Sequence, residues 1–173
     1  PYWPNLACAT DSRIQRVDGG AERSGSVLNA LLHLHALGAD DEDWVLVHDA
    51  ARPNLSRDDL DKLLTELADD PVGGLLAVPA RDTLKRVDKH GRVVETVDRS
   101  VIWQAYTPQM FRLGALHRAL ADSLVADAVI TDEASAMEWA GMSPRLIEGR
   151  SDNLKVTRPE DLEWLRQRWA NRR

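Results

Sequence analysis

The chain carries one cysteine among its 173 residues, Cys8, so no disulfide can form within it, and this usage fits a reducing compartment. No apolar run approaches the length of a membrane span, and no charged-then-apolar leader precedes the first residues; a cytoplasmic protein without a membrane segment is expected. Positive charge is also in short supply, with 22 Lys and Arg against 28 Asp and Glu and a net charge of −6. General binding to nucleic acid or to an anionic membrane is therefore disfavoured, and any anionic ligand must be met by a local basic cluster. Internal repeats, linkers and low-complexity tracts are absent. What is present is ordinary: 43% hydrophobic and 29% charged residues, enough for one domain over 1–173 with a sizeable core.

The chain is organised around Trp44-Val45-Leu46-Val47-His48-Asp49-Ala50-Ala51-Arg52-Pro53. Four apolar positions in a row without polar alternation predict a strand buried on both faces. It stops at an acid, two small residues, an arginine and a proline. In an open α/β sheet the ligand crevice lies just beyond the carboxyl ends of such strands. Asp49 there is able to hold a divalent cation and Arg52 to fork onto a phosphate. Taken alone, Asp49 serves equally as a turn cap and Arg52 as a solvated loop charge.

In chain order, the opening Pro1-Tyr2-Trp3-Pro4-Asn5-Leu6 has two prolines and no periodicity and reads as irregular. Ile14–Val17 reads as a short strand. Gly19 and Gly20 then permit a tight turn and close approach to a ligand, before a helix with Val27, Leu28, Leu31 and Leu34 on its apolar face and Gly38 as its stop. His33 and His35 lie on different faces of that helix and are discounted as a metal pair. Ser56 caps a second helix carrying Leu60, Leu63, Leu64 and Leu67, and Leu75–Val78 reads as a second buried strand. Thr83–Val87 and Arg92–Val97 flank a turn at Asp88-Lys89-His90-Gly91, a polar hairpin suited to be a lid or an arm that embraces a partner subunit. Ile102–Tyr106 is expected to be a strand ended by Thr107-Pro108-Gln109. A helix over Leu113–Leu124 follows, then one opened by a capping Thr131 and closed by Gly141. Arg145–Ile147 and Leu154–Val156 read as short strands, and Thr157-Arg158-Pro159-Glu160 as a capping box on the last helix.

Alternating strands and helices predict a three-layer α/β sandwich with a mainly parallel sheet and a protruding hairpin. Several strands end in Asp49, Arg52, Thr107, Lys155 and Thr157. With Thr131 and the basic hairpin, one edge collects donors suited to phosphate oxygens. Each has a plainer use: Thr131 and Thr157 as helix caps, Arg99 in a surface ion pair, Lys155 as a snorkelling edge lysine. A Ser26-His48-Asp49 hydrolase triad is set aside, since His48 and Asp49 are adjacent in a strand and point to opposite faces.

Five blocks then occur in order: Gly19-Gly20-x-x-Arg23-x-x-Ser26-Val27, Val47-His48-Asp49-Ala50-Ala51-Arg52-Pro53, Arg81-Asp82-Thr83-Leu84-Lys85, Thr131-Asp132-Glu133-Ala134-Ser135 and Asn153-Leu154-Lys155-Val156-Thr157. Together, from about Ile14 to the last helix, they resemble the 2-C-methyl-D-erythritol 4-phosphate cytidylyltransferases of the non-mevalonate isoprenoid pathway. The resemblance implies a Rossmann-like nucleotidyltransferase fold and a homodimer whose hairpin arms, about 81–103 here, cross between subunits. It implies transfer of CMP from CTP to the methylerythritol phosphate, with release of pyrophosphate and with Mg²⁺ or another divalent cation as cofactor.

By the same resemblance Gly20 and Ser26 face the cytidine nucleotide, Asp49 the metal, and Arg52 the substrate. Thr83 and Arg99 reach the methylerythritol phosphate in the neighbouring subunit. Thr107, Thr131, Lys155 and Thr157 face it from the same subunit, and Lys155, Asp49 and Arg99 form the catalytic set. Physically this is coherent, because three anionic groups must be brought together against their repulsion by positioning and charge neutralisation.

Two features depart from the family pattern. Gly25 stands where relatives carry a larger polar residue. The family also opens with a strand and a glycine-rich loop, with an arginine and a Pro-Lys pair, that wraps the CTP triphosphate. No stretch of this chain matches it, so a fragment of a longer protein, or a chain without that half and inactive alone, is expected. Two other readings stay open: a cytidylyltransferase for a related polyol phosphate such as ribitol 5-phosphate, and a non-catalytic binding or dimerising remnant.

Overall fold

A computed structural model describes residues 5–170 of the chain. Pro1 to Pro4, in the stretch expected to be irregular, lie outside the described residues. A 3₁₀ turn at Ala7–Thr10 is followed by α1 (Arg23–Ala36), β1 (Trp44–Val47), α2 (Arg57–Glu66) and β2 (Gly73–Pro79). The hairpin strands β3 (Leu84–Val87) and β4 (Val93–Val97) lead to β5 (Trp103–Arg112). Then come α3 (Leu113–Val125), α4 (Glu133–Trp139), β6 (Arg145–Glu148) and α5 (Pro159–Ala170).

The main sheet has the order β1-β5-β2-β6. β1 and β2 both pair antiparallel with β5, and β6 pairs parallel with β2. Three of the four strands therefore share one direction, and β5 alone runs against them because the hairpin turns the chain back before it re-enters the sheet. Successive side chains on a strand point to opposite faces, which sorts the core into two layers. Leu75 and Phe111 pack with Leu31 of α1, Leu116 and Leu120 of α3 and Met137 of α4. Their neighbours Leu76 and Met110 pack with Leu63 of α2, with Leu67 and with Ile147. Gly74 lets β6 close on β2: a Cβ there would stand 2.0 Å from the Arg145 carbonyl oxygen, an approach only glycine permits.

Several local expectations are corrected. Ile14–Val17 joins no ladder among the described residues, and the Gln15 carboxamide instead meets the His33 ring at 2.6 Å. Leu154–Val156 is likewise a loop, with one backbone bond from Val156 to the Ala51 carbonyl at 2.7 Å. β5 does not end at Thr107 but passes through it. Leu75 faces Gln109 while Ala77 faces Ala105, so β5 carries two extra residues there, and the bulge accommodates a proline that has no N–H to give the ladder. Asp132, not Thr131, caps α4: its carboxylate accepts the Ser135 amide, and the Ser135 hydroxyl accepts the Asp132 amide. At α5 the expected box partner Glu160 is replaced by Asp161, whose Oδ2 accepts the amides of Thr157 and Arg158 and the Thr157 hydroxyl. Those hydrogen bonds hold the Asp161 carboxyl below its ordinary range. The Ser56 cap on α2 is present, accepting from the Asp59 amide.

Candidate active site

A cleft of about 490 Å³ lies between α1 and β1, lined by Arg23, Ser26, Leu31, Val47, Asp49 and Lys155 among others. Its floor is apolar and its charged groups gather at one end, where β1 stops. Asp49 is the hub. Its Oδ2 is 2.9 Å from Lys155 Nζ, its Oδ1 accepts from Arg23 Nε at 3.2 Å, and Arg52 Nε stands 3.9 Å away. Burial works to raise the Asp49 pKa, but the Lys155 hydrogen bond and the charges of Arg23 and Lys155 outweigh it and hold the carboxyl below its ordinary range.

Arg23, a member of the first of the five blocks with no role of its own in the sequence, is central here. Besides Asp49 it forks onto Glu133, Nη1 to Oε1 at 2.6 Å and Nη2 to Oε2 at 2.9 Å. Glu133 is fully buried at the start of α4, so this bidentate pair supplies the compensation a buried carboxylate requires. The pairing raises the Arg23 pKa above the ordinary arginine value. The spacing of Arg23 from Gly20 and Ser26 was the available signal; Glu133 read only as an acid in the first turn of a helix.

Arg52 is placed otherwise than a phosphate fork would be. It is buried, with Nη1 donating to the Asn153 carbonyl at 2.8 Å and Nη2 to the Ala105 carbonyl at 3.3 Å, and its guanidinium lies 4.3 Å from the Tyr106 ring centre. Burial lowers its pKa from the ordinary arginine value, against the pull of Asp49. Thr107 is buried too. Its hydroxyl accepts the Asp49 amide at 3.0 Å and meets His48 Nδ1 at 2.9 Å, while His48 Nε2 lies 2.9 Å from the Arg52 carbonyl. A carbonyl only accepts, so His48 Nε2–H donates to it, and in the neutral ring Nδ1 accepts a hydrogen bond from the Thr107 hydroxyl. The loop after β1 is thereby fixed from both sides.

Gly20 and Ser26 meet at the start of α1, beside Arg23: the Gly20 amide donates to Ser26 Oγ at 2.9 Å, and that hydroxyl donates to the Glu22 carbonyl at 3.0 Å. A Cβ on Gly20 would lie 2.7 Å from the Gly25 carbonyl carbon. Gly25 itself has room, since its Cβ would stand 3.5 Å from the nearest atom, Gly20 Cα. Thr131 is exposed, with its hydroxyl 3.5 Å from Ser135 Oγ, and Thr157 is occupied by Asp161. Thr83 and Arg99 are exposed at the foot of the hairpin, and among the described residues no side-chain hydrogen bond or ion pair joins either to the cleft. The structure therefore brings Asp49, Arg52, Thr107 and Lys155 together, adds Arg23 and Glu133, and leaves Thr83 and Arg99 apart from them within one chain.

A family model described as 2-C-methyl-D-erythritol 4-phosphate cytidylyltransferase matches residues 4–166. The protein of that name from Pseudomonas fluorescens (strain Pf0-1) is 93% identical over 173 residues, all of this chain and 74% of the relative. The one from Pseudomonas putida (strain KT2440) is 79% identical over the same shares. The crystal structure of the Francisella tularensis 2-C-methyl-D-erythritol 4-phosphate cytidylyltransferase superposes with a TM-score of 0.84 at 39% identity, over 96% of this chain and 77% of that one.

Proposed function

The chain belongs to the 2-C-methyl-D-erythritol 4-phosphate cytidylyltransferase family, and from that premise we propose which of its residues carry the reaction. The enzyme is a CTP-dependent nucleotidyltransferase of isoprenoid biosynthesis. An oxygen of the polyol phosphate attacks the α-phosphorus of CTP, the bond from that phosphorus to the β-phosphate breaks, and CDP-methylerythritol and pyrophosphate are released.

The observation that carries the residue assignment is the sharing of one ionised carboxylate, Asp49, by Lys155 and Arg23 at the mouth of the cleft. The nucleophile is a phosphate, already ionised at neutral pH, so the site needs no general base, and an aspartate held below its ordinary range is not one. What the reaction needs is positive charge at the crowded phosphorus. Lys155, half exposed, is free to turn from Asp49 to phosphate oxygens, while Arg23 stays on Glu133 and keeps Asp49 in place. Arg52 and Thr107 fix the loop that presents Asp49. Gly20 and Ser26 meet the nucleotide, and the lack of a side chain on Gly20 lets its turn pack directly on the start of α1. Thr131 joins Lys155 at the polyol phosphate, with Thr157, held by Asp161, beside them. Thr83 and Arg99 complete the site from the partner subunit of a homodimer joined through the arms. A cytoplasmic location is supported by the exposed free thiol of Cys8.

The donor set also bears on the divalent cation. Among the described residues no group of three or more His, Cys, Asp or Glu is placed to hold a metal, and Glu133 is committed to Arg23. One carboxylate at a cleft mouth suits Mg²⁺ that keeps most of its coordination on phosphate and water oxygens, so Asp49 would hold the ion. When bound, it would neutralise triphosphate charge. Asp49→Asn is expected to keep the fold and to shift the Mg²⁺ dependence of pyrophosphate release to higher concentration. Wild-type rates at both limiting and saturating Mg²⁺ would remove the metal role.

The ribitol 5-phosphate reading is not favoured, because the family model and the relatives above carry the methylerythritol name. The assay is pyrophosphate release with CTP and each polyol phosphate, on the wild type and on Lys155→Ala. Turnover with methylerythritol phosphate, lost in Lys155→Ala, is the expected result. Preference for ribitol 5-phosphate, or full activity without the lysine, would overturn the assignment.

A further inference from the structure

Lys155 hangs on a loop, yet its ammonium sits within hydrogen-bond distance of Asp49. What holds that loop lies on the side away from the cleft. The Asp152 carboxylate, largely buried, accepts a fork from Arg150, Nε at 3.0 Å and Nη2 at 2.7 Å, and a further bond from Arg168 Nη2 on α5. The Asp152 carbonyl accepts Asn54 Nδ2 at 2.8 Å, and Asn54 Oδ1 lies 3.4 Å from Trp169 Nε1, also on α5. The next residue, Asn153, is buried, with its side chain donating to the Thr107 carbonyl at 2.8 Å and its carbonyl accepting from Arg52. Val156 closes the span on Ala51. Every anchor on the Asn153 and Val156 side ends on β5 or on the loop after β1. Thr157 meets the first turn of α5 at Asp161, and the anchor on Asp152 is the one that reaches the far end of that helix, at Arg168.

We infer that Asp152 is a positioning residue for Lys155: its carboxylate locks α5, through Arg168, to the loop that carries the lysine, and so fixes where the ammonium meets Asp49 and the reacting phosphates. The inference rests on the role of Lys155 proposed above. Two arginines on one carboxylate leave the loop little freedom, and a chain shift of about an ångström at a catalytic group costs up to roughly 100-fold in rate. Asn153 and Val156 would still tether the loop without Asp152, so the expected defect is misplacement of the lysine and not loss of the fold.

The test is a double-mutant cycle in the enzyme, with kcat, the KM for each substrate and the thermal midpoint measured on every variant. Asp152→Asn is expected to lower kcat about 10- to 100-fold, with KM values changed much less. In a Lys155→Ala background the same substitution is expected to change kcat less than about twofold, because the group it positions is gone. A merely structural role would lower kcat by the same factor in both backgrounds, and that result, or wild-type kcat in Asp152→Asn, overturns the inference. If Asp152→Asn does not fold, Arg168→Met, which leaves Arg150 on the carboxylate, carries the same cycle with the same outcomes; Arg168→Lys should then recover part of kcat. Full activity of Lys155→Ala alone would instead sink the role of the lysine, and the two failures are thereby told apart.

Discussion

In the cleft, Arg23 reaches 110 residues along the chain to pair with Glu133; in the arm, Arg86 reaches nine residues to pair with Glu95. Both are arginine–glutamate contacts under 3 Å. The glutamate side chain is 1% exposed in the first and 52% exposed in the second. A buried pair made across the fold cannot be broken without stranding a charge, whereas an exposed pair across a hairpin exchanges readily for water. The two regions differ likewise in their apolar residues. Leu31, Leu75 and Phe111 near the cleft are buried, while Val87, Val93 and Val94 of the arm are exposed. The cleft is held by the fold that surrounds it; the arm is held by its own ladder and presents aliphatic surface outward.

The largest break in that comparison is Arg23→Met. Leaving Glu133 buried without its partner is expected to cost about 3–5 kcal/mol in urea unfolding and to abolish most turnover. Adding Glu133→Gln should restore much of the stability but not the activity, because Asp49 still lacks its clamp. An Arg23→Met protein as stable as wild type would show that the pair is not what holds α4 to α1.

Next in size is complementation across the proposed dimer. Lys155→Ala and Arg99→Ala are each expected to lose about 10²–10³ in kcat. Co-refolded, they should regain up to about half of wild-type activity per mixed dimer, which holds one intact site in two. A verified heterodimer that regains nothing would place both residues in the same subunit's site, and the arm would then be a structural device only.

A smaller effect sharpens the electrostatic side. The Asp49 pKa lies below the ordinary value of about 3.9, so the stability its pairing contributes is fully present above that pH and is lost as pH falls through the lower, folded value. A carbon-13 titration of the Asp49 carboxyl should give a midpoint under about 3.9. A midpoint at or above it would mean that Lys155 and Arg23 do not offset the burial. The smallest effect belongs to the arm: Arg86→Ala is expected to change unfolding free energy by less than about 1 kcal/mol, within the range of exposed pairs.

Much of this arrangement is legible in residue order. Trp44–Val47 declared its strand by being apolar without alternation, though not buried on both faces as expected, since β1 is an edge of the described sheet and leaves Leu46 exposed. Ser56 declared its helix, and Asp49 stood where a strand end meets a crevice. What eluded that reading was set by partners distant in sequence. Ile14–Val17 has strand-like residues, but a strand exists only where another lies beside it. The Asp161 cap competes with Glu160 for the same amides, and which carboxylate swings back depends on the turn and not on composition. Arg52 looked like a phosphate ligand because arginines at strand ends often are. The carbonyls of Ala105 and Asn153 that claim it come from two other segments. Arg23 and Glu133 are silent in sequence for the same reason.

The bulge in β5 has a consequence for what evolution can change here. Ala105, Tyr106 and Thr107 are three consecutive residues whose carbonyls, freed near the skipped rungs, accept from Arg52, Gln109 and Asn153 in turn. The sheet thus lends out its own main chain as a socket strip for the site. A socket of carbonyls is indifferent to which side chains sit on it, so substitutions at Ala105 or Tyr106 leave the three connections available. Deleting two residues from this segment would be a different event. It would mend the ladder against β2, return those oxygens to their strand neighbours, and unplug the arginine and the asparagine that hold the loops of Asp49 and Lys155 together.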